Sequence, residues 1–142
     1  MRLLLIPLSL SLIVAPLRAQ DEASADQGAL QGDWTMVSAS INGATYPNST
    51  GTRHVAGDTT TVTVNGTVLM SAIFTLNPST QPKSVDYAVI GGSLEGQHLL
   101  GIYRLEDSTL TFCITGPGGV RPTEFATTAG DGRTCSEWKR QP

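Results

Sequence analysis

From Leu30 onward, apolar and polar positions alternate with a period of two through most of the chain. That period sends successive side chains to opposite faces of an extended strand. Leu30 to Ile41 sets Trp34, Met36 and Ser38 against Thr35, Val37 and Ala39. Asn42-Gly43 then marks a turn, and Tyr46-Pro47-Asn48 extends it into a loop. The strongest local signal is TTTVTVNGTVLMSAIFTL, where Asn65-Gly66 separates two Val/Thr-rich runs. Asn and Gly tolerate positive φ, which predicts a two-residue hairpin turn there. Asn77 to Pro82 reads as a loop, because its prolines lack the amide a ladder needs. Further strands are predicted over Lys83–Ile90, broken by Gly91-Gly92, then His98–Leu105, Thr109–Thr115, Pro122–Thr128 and Arg133–Arg140. GPGGVRP, before Pro122, reads as a wide turn.

Eight or nine short strands with hairpin-length connections predict an all-β, antiparallel meander, either a barrel or a sandwich. The barrel is favoured because closure removes the exposed edges that a small β-protein must otherwise protect. One register can be argued in detail. If Glu106 to Thr109 form the loop, Leu105 faces Leu110 and Tyr103 faces Phe112, and four bulky side chains share one side. A slip of one residue would scatter them. Ile102, Arg104, Thr111 and Cys113 then point outward. In the last run Trp138 is the inward candidate, with Ser136 and Arg140 on its face and Cys135, Glu137 and Lys139 opposite.

Cys113 and Cys135, the only cysteines, therefore both lean outward, which favours a disulfide. A strand over Pro122–Thr128 lying between theirs would separate them by roughly 10 Å, too far for a bridge. Both arrangements stay open at this level.

The ends and the charge set the context. MRLLLIPLSLSLIVAPLRAQ joins a positive start at Arg2, an apolar run from Leu3 to Val14 and a small residue at Ala19. These are the three parts of a secretory signal, so residues 1–19 are expected to be removed and the protein exported to the periplasm or the medium. The apolar run is shorter than the roughly 20 residues of a spanning helix, so no stable membrane span is expected after cleavage. Residues 20–29 are small and polar and read as a flexible lead-in, and 30–142 as one barrel domain. Loss of Arg2 and Arg18 takes the formal charge from −3 to −5. With no basic cluster after Arg18, nucleic acid is a poor partner.

LQGDWTMVSASING, FTLNPSTQPKSVD, LLGIYRLEDSTLTFC, RPTEF and a closing KR occur in this order. Over Leu30 to Arg140 the chain resembles the lipocalin-like domain family of uncharacterised exported proteins found especially in planctomycetes. The resemblance implies a lipocalin-like meander β-barrel of about eight strands and carries no established activity. It also implies a structural role for three residues. Gly32 and Trp34 match the Gly-x-Trp of a first strand, and Arg140 matches a late arginine laid across the indole at the narrow end. Without the resemblance, Trp34 reads as a core aromatic, so it is structural in both cases. AGDGRTCSEW is more polar than the usual final strand of that family.

Catalytic patterns are sparse. GPGGVRP lacks the Lys-Ser/Thr of a phosphate loop, and there is no Gly-x-Ser-x-Gly elbow. Cys113 with His54 or His98 would make a thiol–imidazole pair, against the plainer reading of a half-buried cysteine and solvated histidines. Asp86, Glu95, Glu106, Asp107 and Glu124 would need to gather in one cleft to act in pairs, and Glu124, near Arg121 in RPTEF, is expected to make a structural ion pair or a turn-stabilising hydrogen bond. No catalysis, cofactor or metal is therefore expected. Two functions compete. A carrier would hold a small apolar ligand among Trp34, Met36, Phe74, Tyr103, Phe112 and Trp138. A non-catalytic module, such as an inhibitor, would present Ala44–Gly51, Asn77–Pro82 and Gly116–Arg121 to an extracellular protein or envelope polymer. Inward aromatics commonly just fill a core, so a filled interior stands beside a hollow one.

Overall fold

Nine strands follow one helix in a computed structural model that describes residues 15–47 and 50–142. The helix α1 covers Ala15–Leu30, and the strands are β1 Gly32–Ile41, β2 Ala44–Pro47, β3 Gly51–Ala56, β4 Thr59–Val64, β5 Thr67–Asn77, β6 Ser84–Gly92, β7 His98–Glu106, β8 Thr109–Thr115 and β9 Arg133–Arg140. Each strand from β3 to β9 pairs antiparallel with the next, and β9 returns to β1. The long β1 is shared. Its first half pairs with β3 and its second half with β2, so eight strands close a barrel and β2 is an extra rung beside its open end. The all-β closed meander is therefore present, and the polar final run does close it.

Turn chemistry explains the hairpins. Asn65 and Gly66 adopt φ of 52° and 77°, so β4 and β5 meet through the expected two-residue turn. The β7–β8 register is the predicted one, with Leu105 opposite Leu110 and Tyr103 opposite Phe112. All four belong to the apolar cluster inside the barrel. At Gly91-Gly92 the strand does not break. It runs on to Gly92 across a register shift against β5.

Four further expectations are corrected. Residues 20–29 are not a loose lead-in but the bulk of α1, which continues to Leu30, so the first strand begins at Gly32. Tyr46-Pro47 lies in β2 rather than a loop, because the Asn42-Gly43 turn is tight enough to fold Ala44–Pro47 back on Ser38–Ile41. Pro122–Thr128 is not a strand. Residues 116–132 form a strap across the outside of the barrel, where Arg121 Nη1 donates to the carbonyls of Val85 (3.1 Å) and Gly101 (2.8 Å). With no strand between them, β8 and β9 are neighbours, Cys113 sits directly opposite Cys135 at a Cα separation of 4.0 Å, and the two form a disulfide. Fourth, Arg121 pairs with Asp86 at 2.5 Å and not with Glu124. Ile102 and Cys113 do face outward, yet they are buried, since Phe125 of the strap packs over them and Cys135. The positive start and apolar run of the expected signal lie outside the described residues, and among the described residues no helix is long and apolar enough to cross a membrane.

Candidate ligand-binding site

The barrel has a stoppered end and an open one. At the stoppered end α1 terminates against Trp34, which is fully buried. The last carbonyls of a helix lack partners within it, and each needs an outside donor. Here the last four find them, as does the carbonyl of Gln31 just beyond the helix. Gln31 supplies its side-chain amide to Gln27 O (2.9 Å) and its backbone N–H to Gly28 O (3.3 Å). Arg140 Nη2 donates to Ala29 O, Trp34 Nε1 to Leu30 O (2.9 Å) and Arg140 Nη1 to Gln31 O (2.8 Å). The Arg140 guanidinium also lies over the Trp34 ring at 4.3 Å. Gly32 suits this corner through its φ of 110°, a backbone conformation that other residues rarely adopt. The indole and guanidinium thus cap the helix as well as stopper the barrel. Asp26 tethers the same helix, accepting from Tyr103 Oη (2.6 Å) and Lys83 Nζ (2.9 Å). Burial, and then the bond to Asp26, push the Tyr103 hydroxyl well above the ordinary tyrosine pKa.

Above this end the interior is packed solid by Leu30, Val55, Phe74, Val85, Tyr87 and Phe112, leaving a void of only about 10 Å³. Toward the open end it hollows into a chamber of about 510 Å³. Its walls are Met36, Val62, Val64, Met70, Leu99, Ile114 and Trp138, and Ile41, Leu69 and Leu94 stand at its rim. The six aromatic and methionine candidates are thereby divided. Met36 and Trp138 line the chamber, whereas Phe74 and Phe112 belong to the packed half. Trp34 is at the stopper, and the Tyr103 hydroxyl is committed to Asp26.

The residue that sequence reasoning missed is Arg53, which borders both the chamber and the packed half. It is 3% exposed on the inward face of β3, where Gly51, Arg53 and Val55 alternate with outward Thr52, His54 and Ala56. Its guanidinium lies 4.4 Å from the Phe112 ring centre and 4.7 Å from that of Trp138, and Nη1 donates to Thr60 Oγ1 at 3.0 Å. Nε is buried without a hydrogen-bond partner. Desolvation lowers the arginine pKa, while Tyr87 beside it acts in the opposite direction. Tyr87 is itself pushed up by burial and drawn back by Arg53. The strand alternation around Arg53 was the available signal, since it sets a charged residue in phase with Val55.

The residues weighed for catalysis are spread apart. Cys113 is in the disulfide, so it forms no thiol–imidazole pair, and His54 instead meets Asp33 at 2.7 Å on the surface. Glu106 pairs with Arg104 at 3.5 Å, Asp107 sits in the β7–β8 turn, and Glu95 and Glu124 are exposed. Among the described residues no three His, Cys, Asp or Glu side chains gather as a metal site. Comparison with protein-family models, with curated proteins and with solved structures found no match to this chain.

Proposed function

We propose that this chain is an exported lipocalin-like carrier that takes a small apolar ligand into the open half of its barrel and performs no catalysis. The observation that carries the reading is the chamber of about 510 Å³ with its mostly apolar wall. Pockets for small molecules are typically about 300–1,000 Å³, lined by apolar side chains with a few placed polar groups. A ligand entering it gains roughly 25 cal/mol for each Å² of apolar surface withdrawn from water. Met36 and Met70 add side chains that adapt to an irregular guest. Export rests on Arg2, the Leu3–Val14 run and Ala19, and the lipocalin-like assignment on the ordered segments from Leu30 to Arg140 together with Gly32, Trp34 and Arg140 at the stoppered end.

Two measurements test the carrier. Native intact mass of gently purified protein should show a co-purifying small molecule. Titration with N-phenyl-1-naphthylamine, a neutral probe that is dark in water, should give one saturable site. A protein that arrives clean and leaves the probe dark is not a carrier. One observation favours the alternative module: Val120, at the crest of the strap, is 81% exposed. A clean, probe-dark protein would direct attention to that strap as a contact for an extracellular protein or envelope polymer.

A further inference from the structure

We infer that the chamber's ligand carries a carboxylate, which is received at the chamber floor by Arg53. The inference rests on the carrier reading and names the chemical class of its cargo.

Arg53 is the reason. The other arginines discussed above sit outside the apolar interior and pair with carboxylates or helix carbonyls: Arg121 with Asp86, Arg104 with Glu106, Arg140 with Ala29 and Gln31. Arg53 alone among these points inward, and among the described residues no carboxylate pairs with it. Its surroundings are neutral: two aromatic rings, the Thr60 hydroxyl and Tyr87. A guanidinium stays charged even in such a place, and burying a charge without a counter-charge is costly. Val62 and Val55 show what the same inward position would hold if only packing were at stake. A barrel that keeps an arginine there, with Nε still lacking an acceptor, is short of one negative group at that point.

Position and shape then select the ligand. Arg53 stands where the packed half gives way to the chamber, so a molecule entering head first from the rim would bring its polar end to the guanidinium. Its body would lie against Val64, Met70, Leu99 and Ile114. The guanidinium carbon lies 4.4 and 4.7 Å from the ring centres of Phe112 and Trp138 and Nη1 is held by Thr60, while Arg53 remains part of the chamber's lining. A planar carboxylate reaching the guanidinium there would meet it in the fork geometry that arginine favours.

The test compares ligands of equal length on the purified, folded protein by displacement of N-phenyl-1-naphthylamine at pH 8. The ligands are decanoate, decan-1-ol and decyltrimethylammonium, each below its micellar concentration. Decanoate should bind at least about tenfold tighter than decanol, as a charge-assisted contact in a desolvated site requires, and the cation should bind weakest. Arg53→Met should erase the preference for decanoate while decanol still binds, with circular dichroism reporting the fold. If that variant does not fold, the ranking on the unmodified protein decides alone. Decanol binding as tightly as decanoate would overturn the carboxylate inference and leave the carrier standing. A folded Arg53→Met variant that keeps the preference would overturn it too. Failure of the naphthylamine and all three ligands to bind would remove both readings.

Discussion

Replacing Arg140 by methionine keeps an apolar stem beside Trp34 and removes three interactions together: the donors to Ala29 O and Gln31 O, and the cation over the indole at 4.3 Å. Arg140 is exposed, so solvent weakens each of these. A hydrogen bond in such a setting contributes about 1 kcal/mol and an exposed cation–π contact about 0.5–1 kcal/mol. A positive charge at a helix C-terminus adds about 0.3–1 kcal/mol. Water replaces part of what is lost at the two carbonyls, so the expected net cost is about 2 kcal/mol. For a domain of this size that corresponds to a fall in Tm of roughly 8 °C. Urea unfolding followed by tryptophan fluorescence measures it, with Trp34 reporting directly on the stoppered end. Arg140→Lys should recover less than half, because an ammonium cannot serve both carbonyls and lie across the ring. If Arg140→Met stays within about 0.5 kcal/mol of the parent, the helix cap is not what holds this end, and the role given to the Trp34–Arg140 pair is wrong.

Two further outcomes follow from the same geometry. The disulfide closes a loop with a sequence separation of 22, so replacing Cys113 and Cys135 together by alanine should lower stability by about 3 kcal/mol, read from the urea midpoint, and an unchanged midpoint would refute it. Tyr87 and Tyr103 both have raised pKa values in the folded state, chiefly through burial, while an unfolded tyrosine titrates near 10. Their contribution is thus complete below pH 10 and is lost as pH rises from there toward the raised folded values. The urea midpoint should fall between pH 9 and pH 11, less steeply in Tyr103→Phe, and a flat profile would contradict the assignment.

What could be read from the chain was local. Asn65-Gly66 and the Leu105/Leu110 and Tyr103/Phe112 pairs depend on turn chemistry and a period of two, and both are written within a dozen residues. The helix escaped because nothing on it forms an apolar stripe. It is fixed by Asp26, by Leu30 and by carbonyl caps from Gln31, Trp34 and the sequence-distant Arg140. The disulfide turned on whether β8 and β9 are neighbours, a question of topology that strand patterns alone leave open. The strap imitates a strand in composition, but Arg121 and the buried Pro122 anchor it across the sheet. Of the candidate site, Met36 and Trp138 were legible as inward residues on the chamber wall. Arg53 was not, because a charged residue in an alternating run is ordinarily assigned to the solvent side.

The hollowness of the open half is tested most directly by filling it. Val64 lies on the chamber wall and is only partly buried, so in Val64→Trp the indole has empty space to enter. In a packed core the same change would cost about 1–3 kcal/mol. Urea unfolding and the naphthylamine titration should be run side by side on this variant. The account predicts stability within about 0.5 kcal/mol of the parent and loss of the saturable probe site. A strongly destabilised variant, or one that binds the probe as the parent does, would contradict it.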